Sequence, residues 1–237
     1  MSKFYKPKVL WVTNLPAPYR FPIWDNMAKK VDLLVYFVLK EKNWRNWPIP
    51  QNRDWRYDYL SLNSFRFKEY DAIPSFRGAK KMLQEIDFVI VNGWESPIFI
   101  RTILLAKRMG IPVIQFYQST NDSARFRKGI VIRVKKWILS KPDKFISISS
   151  QATSSLESVG VDVKKILTLF NPVDVRWFDS FADKHRSSKI VGHHYLYVGQ
   201  LIERKNIESI ILAFASIRKV SDTLTIAGSG PLDKKLK

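Results

Sequence analysis

The 237-residue sequence contains no cysteine and only three histidines. Without cysteine the chain can form neither a disulfide nor a Cys-ligated zinc site, which is compatible with a reducing compartment. His193 and His194 are adjacent and His185 stands apart. Because a histidine metal site needs several convergent ligands, we expect no structural metal.

Long apolar runs are also missing. The longest, from Leu33 to Leu39, falls far below the about 20 residues needed to span a bilayer. Near the N-terminus, the run from Val9 to Val12 is too short for the core of a signal peptide. We therefore expect a cytoplasmic protein, either free or peripheral on the cytoplasmic face of the membrane.

Acidic residues are scarce relative to basic ones. The chain has 21 Asp and Glu against 40 Lys and Arg, a net charge of +19. A charge of this size favours association with a polyanion. Nucleic acid and an anionic membrane surface are both candidate partners. Substrate phosphate is a third, although a few lysines at a site would not account for so large an excess.

The N-terminal part of the sequence alternates short apolar runs with helical patterns. The segments KVLWVT, VDLLVYFVL, DFVIVNGWES, IPVIQFYQST and DKFISISSQ are typical of buried strands that end in polar loops. Helical spacing separates several of them, as in IFIRTILLAKRMG before Gly110. This alternation predicts an α/β fold with a doubly wound, Rossmann-like parallel sheet.

The segment from Lys42 to Lys81 interrupts this pattern. Its RYDYLSL run alternates as a strand does, which predicts an antiparallel excursion beside the main sheet. The aromatic residues of the segment either pack internally or form a stacking surface for bases or sugars, and packing is the favoured interpretation. They are Trp44, Trp47, Trp55, Tyr57, Tyr59, Phe65, Phe67, Tyr70 and Phe76.

A second unit follows an apparent linker. The polar stretch after NPVD shows no clear period, so we predict an N-terminal domain over 1–178, a linker over 179–189 and a second Rossmann-like unit over 190–237. The second unit reads as strand, helix from Asn206 to Val220, and strand. Asn206 is the expected N-cap. An apolar helix face is expected at Ile207, Ile210, Ile211, Phe214 and Ile217.

Several motifs in this order resemble glycosyltransferase family 4. They are NLPAPYRFPIW, DFVIVNGWES, GIPVIQFYQST, FISISSQATSSLESVGV and LFNPVD in the first part, and Gly199-Gln200-Leu201, Lys205-Asn206 and AGSGPL in the second. The resemblance covers nearly the whole chain. It implies two facing Rossmann-like domains and transfer of a hexose from a nucleotide sugar with retention. It also implies that neither a metal nor another cofactor is needed.

The resemblance also bears on the end of the chain. Members of the family carry a pair of glutamates downstream of the Gly-Pro loop, and nothing after Lys237 supplies them. We therefore expect an incomplete donor domain, catalytic residues beyond Lys237 and little transferase activity from this chain alone. A truncated frame, a fragment, and half of a split enzyme with a complementing donor-domain polypeptide remain open.

By resemblance, the donor diphosphate would be bound by Gly199, Gln200, Arg204, Lys205, Gly228 and Gly230. A metal-free transferase must neutralise the departing diphosphate with fixed cations and amide donors. Lys205 precedes a predicted helix whose N-terminus attracts phosphate. The partner arginine of the family aligns with Gln200, which carries no charge, and Arg204 could supply the missing cation. The glycines could equally be ordinary turn residues.

The acceptor is expected on loops after the strands of the first domain, where α/β proteins bind ligands. Pro18, Tyr19 and Arg20 follow the first strand, and Glu95, Gln118 and Asn121 follow later ones. By resemblance, a histidine of the family aligns with Gln118, or with Tyr117 if the register slips by one residue. An amide such as that of Gln118 cannot act as a titrating acid or base. For each of these residues an ordinary loop or capping role is an open alternative.

From Arg125 to Lys144 the sequence holds eight basic residues and one acid, with Ile130, Val134, Trp137 and Ile138 at helical spacing. This pattern is typical of a helix on an anionic membrane, where a lipid-linked acceptor of polysaccharide or glycolipid assembly would lie. A surface helix with its apolar face in the core fits equally. Other hypotheses are a nucleic-acid-binding module using residues 42–81 and a non-catalytic partner of a full-length transferase.

Overall fold

The computed structural model describes residues 5–38, 47, 51–59, 80–121, 129–185 and 192–236. The chain divides into two compact units, which are described separately. Unit 1 holds the described residues up to Val173, and unit 2 those from Asp174 onward. The domain limits drawn from the sequence stay a prediction.

Unit 1 contains a seven-stranded sheet in the order β3-β2-β1-β4-β5-β6-β7. Each described neighbouring pair is parallel. The predicted doubly wound α/β class is therefore confirmed. The strands are β1 Lys8–Thr13, β2 Asp32–Phe37, β3 Arg56–Tyr59, β4 Phe88–Asn92, β5 Val113–Tyr117, β6 Lys144–Ser147 and β7 Ile166–Thr168.

Helices cover both faces of this sheet because its strands are apolar on both sides. Trp24 of the first helix packs with one face of β1, at Val9 and Trp11. Ile98 and Ile138, from two later helices, pack with the other face. The described helices of unit 1 are α1 Phe21–Ala28, α2 Pro97–Arg108, α3 Ile130–Leu139 and α4 Ser150–Glu157.

Local sequence accounts for the helix ends. Pro97 occupies the first turn of α2, where its missing N–H costs nothing. Gly110 follows the helix with φ +74°, a conformation that favours glycine. At α4, the hydroxyl of Ser149 accepts a hydrogen bond from the N–H of Ala152 at 3.1 Å, so one unpaired helix donor is satisfied.

The predicted antiparallel excursion is wrong at β3, the strand of this segment that the structure describes. β3 pairs with β2 in parallel and extends the main sheet at its edge. The connection from β2 is long enough for a parallel crossover. Trp55 is 3% exposed, and its Nε1 donates to Asp25 at 2.8 Å, so packing is its role. Most of the remaining segment, including 60–79, lies outside the described residues.

The stretch predicted to be an irregular linker begins as a helix. In unit 2, α5 runs Val175–His185. The carboxylate of Asp174 accepts the N–H of Trp177 at 3.2 Å, and the rings of Trp177 and Phe181 lie 4.7 Å apart. Polar residues separate these aromatic side chains, so the apolar face of α5 is narrow, and it is exposed. The helical period was therefore difficult to recognise in the sequence.

The rest of unit 2 forms a parallel βαβ arrangement, as the sequence predicts. β8 His194–Val198 pairs with β9 Thr223–Ala227. Between them lies α6 Ile207–Ile217, and α7 Asp233–Leu236 follows. α6 is shorter than predicted, because Arg218 turns to an extended conformation.

The predicted apolar face of α6 is at least partly covered at four of its five positions, with Ile210 and Ile211 half-buried, but its predicted cap needs correction. Ile207 is buried, Phe214 is half-buried against Tyr195 with ring centroids 5.4 Å apart, and Ile217 is 62% exposed. Asn206 stands at the N-cap position in a left-handed conformation, φ +48°, and its side chain does not cap the helix. Its Oδ1 instead accepts the hydroxyl of Ser209 at 3.0 Å.

Candidate functional site

Two loops of unit 2 are joined backbone to backbone at the carboxyl ends of β8 and β9. The N–H of Gly199 donates to the carbonyl of Ala227 at 3.0 Å, and the N–H of Leu201 donates to Ser229 at 2.9 Å. The N–H of Leu232 returns to the carbonyl of Leu201 at 3.1 Å. These bonds bring the predicted donor residues Gly199, Gly228 and Gly230 together.

Gly228 and Gly230 are required by this close backbone contact, and Gly199 lies against a side chain. A Cβ on Gly228 would lie 1.8 Å from the carbonyl oxygen of Gly199, and one on Gly230 would lie 2.3 Å from that of Leu201. A Cβ on Gly199 would meet the hydroxyl of Tyr197 at 2.7 Å. The three glycines therefore pack the two loops against each other and against Tyr197.

Arg204 and Lys205 lie on a short 3-10 turn, Glu203–Lys205, which leads into α6. Both side chains are exposed, and neither makes an ion pair or hydrogen bond within the described part of the chain. The first turn of α6 has no side-chain cap, so no capping side chain satisfies its N–H groups. Gln200 is half-buried, and its carbonyl accepts the hydroxyl of Tyr197 at 3.1 Å.

In unit 1, Arg20 lies in the 3-10 turn Pro18–Arg20 that follows β1. It is 4% exposed, and its Nη1 is buried with no hydrogen-bond partner among the described residues. Its guanidinium carbon lies 5.0 Å from the ring centroid of Phe116, near the carboxyl end of β5, and 5.8 Å from that of Tyr19. Tyr19 is 41% exposed.

Glu95 connects the loops after β4 and β5. Its carboxylate accepts the N–H of Trp94 at 3.1 Å and the hydroxyl of Ser119 at 3.3 Å. Asn121 instead accepts the hydroxyl of Ser158 at 3.3 Å, beside α4. Gln118 is exposed and makes no hydrogen bond to the described residues. At the carboxyl edge of the sheet, Arg20 thus contacts the Phe116 ring and Glu95 accepts the Ser119 hydroxyl. Gln118 has no such contact with the described residues.

Helix α3 separates the apolar residues that the sequence placed on one face. Ile138 is buried in the core, whereas Ile130, Val134 and Trp137 are 77%, 40% and 50% exposed. Lys135 is 4% exposed, so this basic residue of the segment is buried. The spacing of Lys135 to Ile138 and Leu139, three and four residues on, was the available signal that it faces the core.

The described residues contain neither a cluster of metal ligands nor a helix suited to cross a membrane. No group of three or more His, Asp or Glu residues there is arranged to hold a metal ion. None of the helices described has the length and apolar character required to cross a membrane.

The sequence profile described as Glycosyltransferase Family 4 matches residues 41–177, more than half of the chain. The chain therefore belongs to this family. No curated protein sequence matches it.

Solved structures share the fold at low sequence identity. HepE from Anabaena, in complex with UDP and glucose, superposes with a TM-score of 0.65 and 12% identity, covering 97% of this chain and 63% of that one. A UDP-N-acetylglucosamine 2-epimerase from Rickettsia bellii gives 0.55 and 15%, covering 98% and 64%. The lipopolysaccharide outer core galactosyltransferase WaaB gives 0.52 and 15%, covering 96% and 62%. This chain thus spans less than two thirds of each.

Proposed function

We propose that the protein takes part in the transfer of a hexose from a nucleotide sugar to a glycan acceptor, with retention and without a metal or other cofactor. The observation that carries this proposal is the pair of cations Arg204 and Lys205, which have no partner among the described residues and lie beside the uncapped N-terminus of α6. Family membership and the UDP in the HepE structure support a nucleotide-sugar donor.

The chemistry of the donor explains why these groups are suitable. The nucleoside diphosphate gains negative charge as the glycosidic bond breaks, so a site without a metal must supply cations and N–H donors. Lys205 offers an ammonium group, and the open amides of α6 add a positive dipole end. Gln200 offers no charge, so Arg204 supplies the second cation.

Unit 1 supplies the acceptor site in this proposal. Arg20 is a buried guanidinium at the carboxyl edge of the sheet, where doubly wound proteins bind ligands, and its Nη1 has no hydrogen-bond partner among the described residues. Burying such a charge without a partner is unfavourable unless a ligand or solvent satisfies it. Tyr19 and Glu95 add an exposed ring and an exposed carboxylate at the ends of neighbouring strands.

The exposed stripe of α3, defined as Ile130, Val134 and Trp137, is proposed to rest on an anionic membrane. Arg133 and Lys136 lie exposed on the same helix, and Lys141 follows it with its Nζ 5.1 Å from the Trp137 ring centroid. Apolar and basic groups together suit the boundary between headgroups and acyl chains. A lipid-linked acceptor of polysaccharide or glycolipid assembly would be reached from there.

Calorimetric titration with UDP and GDP tests the donor site. The parent should bind at least one of them. Lys205→Ala should weaken that binding by about tenfold or more, or about 1.4 kcal/mol for each tenfold step, because the diphosphate loses a cation. Arg204→Glu should weaken it further by repulsion. Lys219→Ala, which removes an exposed lysine of the same unit, is the matched control. Equal affinities for Lys205→Ala and Lys219→Ala would refute the donor assignment.

A further inference from the structure

Lys135 of α3 is a buried cation held between two aromatic rings. It is 4% exposed, and its Nζ lies 5.6 Å from the ring centroids of both Trp94 and Tyr117. Trp94 follows β4 and Tyr117 ends β5, so the ammonium lies at the carboxyl edge of two paired parallel strands. Ring faces attract a cation, but they restore only part of the hydration it loses on burial.

No carboxylate of the described residues pairs with this ammonium. Glu95, next to Trp94 in sequence, is exposed and engaged with the N–H of Trp94 and the hydroxyl of Ser119. The hydroxyl of Tyr117 is engaged with the hydroxyl of Ser155 at 3.2 Å. The part of the chain that the structure describes therefore provides no counter-ion for the amino group of Lys135.

Two further polar groups nearby in the fold also lack partners. The indole Nε1 of Trp94 is buried and donates to nothing among the described residues. Gln115 is fully buried on the same face of β5 as Tyr117, and both atoms of its amide are unpaired in the described structure. Buried polar groups are nearly always hydrogen-bonded, so several orphans on one face indicate an absent partner.

We propose that Lys135 and Trp94 form a binding site for an anionic group, a carboxylate or a phosphate. Both residues offer only donors, the ammonium and the indole N–H, so the complementary ligand must be an acceptor. A negative charge also supplies the counter-ion that the buried ammonium lacks. The rings of Trp94 and Tyr117 flank the cation and limit its access to water.

The position suggests which molecule carries the anionic group. The carboxyl edge of β4 and β5 is where the acceptor is proposed to bind, so an acidic sugar or a sugar phosphate would present its charge to Lys135. This identification rests on the proposed function. Binding of the anion to Lys135 and Trp94 does not, and it can be measured without donor or turnover.

Indole N–H signals in a ¹H–¹⁵N spectrum provide the test, with Trp94 assigned by Trp94→Phe. The protein is titrated at constant ionic strength with inorganic phosphate, with glucuronate and, as a neutral match, with glucose. We expect a saturable shift of the Trp94 signal with phosphate or glucuronate and none with glucose. The anion that binds more tightly distinguishes phosphate from carboxylate.

Lys135→Met should weaken this binding at least tenfold, while Lys136→Met, which alters the exposed neighbour, should leave it unchanged. Lys135→Gln gives a second neutral variant if the first does not fold. Lys205→Ala should retain the response, so that failure of the donor site and failure of this site are distinguishable. A response that survives both Lys135 variants, or the absence of a saturable shift with both anions, would overturn the proposal.

Discussion

The carbonyl oxygen of Gly199 faces Gly228 so closely that a Cβ built on Gly228 would lie 1.8 Å from it. The same loops are joined by the hydrogen bonds from Gly199 to Ala227 and from Leu201 to Ser229. Neither backbone segment can yield without breaking these bonds. The loops after β8 and β9 therefore leave no room for a side chain at position 228.

Gly228→Ala should destabilise unit 2 by about 3 kcal/mol, the upper part of the range for overpacking, because the clash is with backbone. Amide hydrogen exchange at Gly199 and Leu201 measures the loss, and both should exchange faster. Gly160→Ala is the comparison, since nothing lies within 4 Å of its added Cβ and only the strain of φ +93° remains. Unchanged exchange in Gly228→Ala would contradict the contact.

Replacement of tryptophan by alanine should lower stability strongly at Trp24 and very little at Trp137. Trp24 is fully buried and its ring lies 5.0 Å from that of Trp55 and 6.0 Å from that of Trp11, whereas Trp137 is 50% exposed. Trp24→Ala should lower the free energy of unfolding of unit 1 by about 3–5 kcal/mol through cavity formation. Trp137→Ala should change it by less than about 0.5 kcal/mol. Urea denaturation of both variants measures the difference.

Membrane association is predicted to depend on the exposed stripe of α3. Replacing Ile130, Val134 and Trp137 by Ser should reduce flotation with anionic liposomes by about tenfold or more, because apolar area no longer leaves water on binding. Arg133→Glu with Lys136→Glu should reduce it through charge, in a salt-dependent way.

Val163→Ser, at a 56% exposed position elsewhere on unit 1, is the control for the stripe. Neutral liposomes should bind less than anionic ones. If the stripe variant floats as well as the Val163 variant, α3 is not the docking surface. Stronger binding to a single-stranded oligonucleotide than to anionic liposomes would favour nucleic acid as the polyanion.

Asp222 couples the stability of unit 2 to pH. Its carboxylate accepts the N–H groups of Lys219 and His193, each at 2.8 Å, and these bonds hold the pKa of Asp222 below its ordinary value. A lowered folded pKa means that the stabilisation is present above the unfolded pKa of about 3.9. It is lost as the pH falls through the lower folded pKa.

Thermal unfolding of unit 2 between about pH 5 and pH 2 should therefore show a falling midpoint in the parent. Asp222→Asn should unfold several degrees lower at pH 7, since one of the two acceptor oxygens is lost. Its midpoint should also depend less on pH, because the side chain at position 222 no longer titrates. Asp179→Asn, an exposed carboxyl of the same unit, should follow the parent. A parallel pH dependence in Asp222→Asn and the parent would contradict this assignment.

Much of the fold was predictable because the determining signals are local. The apolar runs of β1, β4 and β5 and the glycine after α2 define elements from neighbouring residues alone. The misassigned stretches lacked such signals. β3 is four residues long, so its partner and direction come from β2 and not from its own sequence. α5 begins directly after the short motif NPVD, and its aromatic face is exposed.

For the candidate site, motif order pointed to Gly199, Lys205 and Gly228 as donor residues, but it could not explain the glycines. Their necessity arises from contact between two loops far apart in sequence. Lys135 was counted as one basic residue among many. Its burial depends on Trp94, in the loop after β4, and on Tyr117, at the end of β5, whose proximity is not evident in the sequence.

The sequence by itself determined the alternation of strands and helices, the family and the excess of positive charge, because these follow from residue order, local spacing and composition. Only the tertiary structure decided which cations remain unpaired, which glycines separate two backbones and which side of α3 faces solvent. Those properties are set by distances between residues remote in the chain, and burial and electrostatic interaction depend on such distances.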